Sequence, residues 1–96
     1  MNGGQIDDIT QRISRGAAVV LEFVNDQLEM LDNGLELADM DTYRNVRLEY
    51  GRAVGLTDYY FSTSMLTACR VFHEGDVNEA RVLLEEAKAG LEANII

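Results

Sequence analysis

The chain is expected to be all-α: a small bundle of about four helices, roughly residues 6–32, 42–54, 58–73 and 77–93, ending in an antiparallel helical hairpin. Three observations carry this expectation. Apolar residues recur in steps of three and four along most of the chain, the signature of helices with one buried face. Proline is absent, and proline is the residue that helix interiors tolerate least. No stretch alternates apolar and polar side chains as a half-buried strand would, and no Asn-Gly pair stands between β-branched runs.

Met1 to Gln5 contains Asn-Gly-Gly and reads as a disordered tail. From Ile6 a stripe begins that runs through Ile9, Ile13, Ala17, Val20, Val24, Leu28 and Leu31. Asp7 and Asp8 fall in the first turn of a helix starting there, where carboxylates favour the positive end of the dipole. Gly16 interrupts the run and costs about 1 kcal/mol relative to alanine. It marks either a break near residues 15–16 or the close approach of another helix; a single long helix is the favoured reading. Asn33-Gly34 supplies the stop, because glycine enters the left-handed conformation that ends many helices.

Leu35 to Met40 forms a short connection, at most one helical turn. Asp41 or Thr42 then caps a second helix, whose stripe is Tyr43, Val46, Tyr50 and Val54, with Arg44, Arg47 and Arg52 outside it. Gly51 weakens this helix and Gly55 ends it. Thr57 is suited to cap the third. Gly75 stops the third, and Asp76-Val-Asn-Glu79 has the D-x-x-E form of a capping box opening the fourth. There Val77, Ala80, Leu84, Ala87 and Leu91 share one face.

The third helix organises the others. Between Tyr59 and Cys69 no side chain is charged. Phe61, Met65, Ala68 and Phe72 fall on one face, and Tyr59, Leu66, Cys69 and Val71 widen it. A helix that is apolar nearly all round lies in the middle of a fold or against a partner. It is too short, and too rich in Ser and Thr, to span a bilayer.

At 96 residues the chain reads as one domain over residues 1–96 with a modest core, since a chain of this size buries only about 60–65% of its unfolded surface. Its hydrophobic fraction, 47%, is that of a folded globule. The formal charge is −9, unevenly spread. Residues 1–41 carry −7, residues 42–73 carry +2 and residues 74–96 carry −4. Such a pattern fits acidic arms folded over the basic middle, in this copy or a second one. A single lysine among the eight basic residues argues against direct nucleic-acid binding, which needs clustered cations, and against an anionic membrane surface. One cysteine, Cys69, excludes an internal disulfide and a cysteine-based zinc site. Its apolar setting makes it a small buried hydrophobe. The start MNGGQIDD has no basic cap before an apolar run, so a cytoplasmic compartment is expected.

Gly75-Asp76 followed by Ala80, Leu84 and Ala87 resembles one tetratricopeptide hairpin: a turn glycine, a small residue where two helices cross, a large apolar residue and a second alanine. Ala68 and Val71 fall where that family's first helix has a small residue and an aromatic. The resemblance covers residues 64–91. Ser64 stands where tryptophan is common, the terminal proline is missing, and the match occurs once. What the resemblance implies is a helical protein-binding scaffold without catalysis.

Residues that could carry chemistry are few. His73-Glu74 is the only place where a histidine meets a carboxylate, and a histidine at a helix C-terminus serves the dipole and the free carbonyls. Glu22, Asp26 and Glu29 share a face of the first helix, but no E-x-x-H pair accompanies them, as a di-metal bundle would need. Ser62, Thr63 and Ser64 stand beside Tyr60 with no histidine close in sequence. Gly3-Gly4 lacks the strand before it and the G-K-S/T after it that a phosphate loop requires. No enzymatic activity, cofactor or metal is expected.

Most of the four tyrosines and three phenylalanines lie in residues 43–72. Tyr59, Tyr60 and Phe61 point about 100° apart on a helix, so they cannot all face one core. Aromatics with arginine nearby are frequent interface anchors. The expected function is therefore a small acidic interaction module (an adaptor, subunit or cochaperone) that binds another protein through Tyr59, Tyr60, Met65, Tyr50 and Arg47, as a homo-oligomer. The alternative is an acidic nucleic-acid mimic that inhibits a DNA-binding protein, with Asp7, Asp8, Glu22, Asp26, Glu29, Asp32, Glu36 and Asp39 as its carboxylates. A remote third reading is an enzyme using His73 with Glu74, or Cys69.

Overall fold

The computed structural model describes residues 3–49 and 59–95, with side chains for residues 10–49 and 63–95. Four helices form among them: α1 (Gly3–Asp32), α2 (Met40–Glu49), α3 (Tyr59–His73) and α4 (Val77–Glu92). The bundle is slim, about 52 × 21 × 16 Å. Its long dimension follows α1, whose 30 residues span about 45 Å at 1.5 Å each.

The fold is the expected all-α bundle with its C-terminal hairpin, and the differences lie at helix ends. α1 is continuous through Gly16 and starts at Gly3, ahead of the Ile6 start. Its hydrogen bonds run along the backbone and need no side chain, so glycines near an end can carry the helix. Asp7 and Asp8 consequently sit past the first turn. Residues 50–54 of the expected second helix, with its stripe positions Tyr50 and Val54, lie outside the described residues, as do the Gly55 and Thr57 signals.

Both helix stops formed by glycine take the form expected of them. Gly34 has φ +70° and Gly75 has φ +102°, where L side chains are strained. Leu35 N–H donates to the Met30 carbonyl at 2.9 Å and Gly34 N–H to that of Leu31 at 3.1 Å, the paired bonds of a Schellman cap. The end of α3 repeats this, with Asp76 N–H on Val71 at 2.8 Å and Gly75 N–H on Phe72 at 2.9 Å. Asp76 also opens α4: its carboxylate accepts from Glu79 N–H at 3.0 Å. Its own N–H is already engaged by α3, so the return bond of a full capping box has no donor. One residue therefore closes one helix and starts the next, which makes the hairpin tight.

The helices run alternately up and down. α3 and α4 make the most extensive contact, α1 lies along α4, and α2 along α3. Arg81, early in α4, meets Asp32 at the end of α1 with N···O 2.6 Å, so α1 and α4 are antiparallel. The cation also offsets a carboxylate at the negative end of a helix dipole.

The core joins Ala17, Val20, Val24 and Leu31 of α1, Leu37 of the connection, Tyr43 of α2, Met65, Ala68 and Cys69 of α3, and Leu84, Ala87 and Leu91 of α4. The α1 stripe is buried at Ala17, Val20, Val24 and Leu31 and half-buried at Ile13 and Leu28. Four of the five α4 stripe residues are buried. Val77 is exposed, because it sits in the first turn, where the neighbouring helices have already ended. Leu84→Ala should destabilise the protein by about 2–5 kcal/mol, the range for an enclosed leucine, whereas exposed Val82→Ala should cost less than about 1 kcal/mol. Urea unfolding followed by circular dichroism measures both; equal losses would contradict the placement of the core.

Candidate interaction surface

The end of the bundle where α1 and α3 stop and α2 and α4 start is built around the main chain of Ala38. Its N–H donates to Gln27 Oε1 of α1 at 2.9 Å. Its carbonyl accepts from the Cys69 thiol of α3 at 3.5 Å and lies 3.5 Å from His73 Nε2. Gln27 is buried, and the same Oε1 accepts from the Tyr43 hydroxyl at 3.1 Å. Tyr43 is fully buried and meets the Phe23 ring edge-on, centroids 4.9 Å apart. Burial pushes the Tyr43 hydroxyl far above its ordinary range, with the Cys69 thiol reinforcing the shift, so it stays a neutral donor. Burial likewise raises the Cys69 thiol, helped by the charge of Asp39, which makes it a poor nucleophile.

Asp39 begins α2 in place of Asp41 or Thr42, the caps expected from sequence. Its Oδ1 accepts from both the Thr42 N–H and the Thr42 hydroxyl at 2.8 Å. Gln27 and Cys69 have already fixed the chain at Ala38, so the next residue is the one placed to cap. The Thr42 N–H, then its hydroxyl, hold the Asp39 carboxyl below its ordinary range, with His73 adding a smaller pull.

His73 and Glu74, the pair of the remote enzymatic reading, have separate partners. His73 turns to the Ala38 carbonyl, and Glu74 lies 3.7 Å from Arg70, one turn earlier. Among the described residues no group of three His, Cys, Asp or Glu side chains gathers as metal ligands would.

Of the residues expected at a partner interface, Met65 needs correction. It is 0% exposed, enclosed by its own chain, because α3 is flanked by α2 and α4. Ser64, Ala68 and Cys69 are buried with it, so over residues 63–73 the apolar surface of α3 is largely sheltered within one copy. Arg47 is exposed on α2. Tyr50 lies outside the described residues, and so do the side chains of Tyr59 and Tyr60 in the first turn of α3.

The outer surface instead carries two features. On α2, Leu48 is 62% exposed, with exposed Arg44 four positions before it and exposed Arg47 immediately before it, on a helix that also exposes Asp41 and Glu49. On α1, Glu22, Asp26 and Glu29 form an exposed row that starts beside Val19, itself 41% exposed. The acidic row was legible from spacing. Leu48 was not, since nothing in its local pattern separates an uncovered leucine from a covered one.

Gln27→Leu should cost about 2–4 kcal/mol, because it strands the half-buried Ala38 N–H and the buried Tyr43 hydroxyl together. Adding Tyr43→Phe should then cost less than it does alone; strict additivity in a double-mutant cycle would mean that the shared acceptor is not in force. For Asp39 the folded pKa is depressed, so its stabilisation is full above the ordinary carboxylate range, about pH 4, and lost as pH falls through the lowered value. Asp39→Asn should therefore lower the midpoint of thermal unfolding at pH 7 and flatten its decline below about pH 4; an unchanged acid profile would remove the cap from the account.

No protein-family model, curated protein or solved structure matches the chain.

Proposed function

We propose that this protein is a small acidic helical module that binds another protein, without catalysis of its own. The observation that carries the reading is the exposed surface of α2, where Leu48 stands one turn after Arg44 and next to Arg47. Exposed large apolar side chains flanked by arginine fit the composition of protein-recognition surfaces. The hairpin supports the same reading. Ala80, Leu84 and Ala87, which carry the likeness to a tetratricopeptide unit, are all fully buried, and small residues at such positions let two helices approach closely. The binding face is thereby moved from the enclosed middle of α3 to the outside of α2. Among the described residues no helix is long and apolar enough to cross a membrane.

A second reading, the acidic nucleic-acid mimic, draws on the exposed Glu22, Asp26 and Glu29 row. The two differ in salt dependence. Carboxylates standing in for phosphates lose affinity steeply as salt rises, whereas an apolar anchor does not.

A tagged chain purified from its native host should retain a partner through 0.5 M NaCl, and Leu48→Asp should release it with no fall in the thermal midpoint. Partner retention unaffected by Leu48→Asp and by Arg47→Glu would overturn the reading. Release by salt alone, together with loss on Asp26→Lys, would favour the mimic.

A further inference from the structure

We infer that the exposed face of α2 docks on the acidic row of α1 in a second copy of the same chain, giving a closed two-fold dimer; this names one partner for the surface assigned above and rests on that assignment.

The two faces match in charge. Arg44 and Arg47 stand exposed on one, Glu22, Asp26 and Glu29 on the other. Among the described residues no ion pair engages Arg47, Glu22, Asp26 or Glu29, and Arg44 has only a loose exposed contact to Asp41 at 3.7 Å, of the kind that contributes little. Each face also has an uncovered apolar residue, Leu48 and Val19.

The faces match in direction as well. Within one copy α1 and α2 run antiparallel without packing along each other, joined by residues 33–39 and linked through Tyr43 on Gln27 and Phe23. A two-fold axis parallel to the helices lays α1 of each copy antiparallel on α2 of the other. Both contacts form at once and the assembly closes, as an isologous interface requires. With Arg44 opposite Asp26, Arg47 comes level with Glu22, about 4.5 and 6 Å farther along their respective helices. Leu48 and Val19 then lie about 4.5 Å apart along the axis, while Asp41 comes level with Glu29 and opposes the pairing at that point. Two copies of net charge −9 repel at long range, but at 0.15 M salt that repulsion is screened beyond about 8 Å, while the contact pairs lie inside that distance.

The test is a charge swap read by sedimentation velocity at 0.15 M NaCl, with circular dichroism confirming that each chain is folded. The wild-type chain should sediment at twice the monomer mass. R44E/R47E alone and E22K/D26K alone should each be monomeric, with at least a tenfold rise in dissociation constant. An equimolar mixture of the two should regain the dimer, since both contacts are then acid against base again. A wild-type monomer at millimolar concentration, dimers that survive either swap, or folded variants that fail to pair on mixing would each overturn the proposal. A wild-type monomer that still retains a partner through Leu48 would sink the self-pairing and leave the interaction module standing.

Discussion

The bundle depends on one carbonyl oxygen, that of the Gln27 side chain. It lies in a buried setting and accepts two hydrogen bonds, from the Ala38 main chain and from the Tyr43 hydroxyl. A buried polar group without partners costs more than a formed hydrogen bond contributes. Each of these three groups therefore needs the others. The consequence is geometric: the connection after α1 cannot wander, Asp39 is delivered to the start of α2, and Tyr43 is aimed into the core between Phe23 and α3. The Ala38 carbonyl extends the same hold to Cys69 of α3. One end of the bundle is thus tied through main-chain groups, and the rest of the helix packing is built outward from it.

Towards the other end Ala17, Val20 and Leu91 belong to the same apolar core, with Ile95 half-buried against it, and the Asn94 side chain donates to the Gly90 carbonyl at 3.0 Å. The surface is asymmetric. α1 and α4 present carboxylates, α2 presents arginines, and α3 is flanked between α2 and α4. Exposed acids also stand outside those two helices, at Glu36, Asp39, Glu74 and Asp76 in the connections and helix ends and at Asp41 and Glu49 beside the α2 arginines.

Much of this was legible in the residues. The stripes of α1 and α4, the stops at Gly34 and Gly75 and the start at Asp76 follow from interactions within a few residues: periodic burial, left-handed glycine and a carboxylate three positions before an N–H. The acidic row of α1 followed from the same periodicity. The cap of α2 did not, because Asp39, Asp41 and Thr42 are all competent caps and only the anchoring of Ala38 selects among them. The role of Gln27 was also invisible, since a glutamine within an apolar stripe looks like a lapse until two distant donors converge on it. Met65 failed as an interface residue for a related reason. Its helix was rightly identified as the most apolar, but apolarity cannot distinguish cover by the chain's own helices from cover by a partner.

What the sequence by itself determined is the helical class, the approximate spans of α1, α3 and α4 and the inward stripes of α1 and α4, because these depend on spacing along the backbone and on burial that any neighbour could supply. Only the tertiary structure decided which helices cover α3, which of three possible caps begins α2, and that Leu35 and Leu48 are left in water. Those outcomes turn on contacts between residues 11 to 35 positions apart, and local pattern contains no measure of what lies across such a gap.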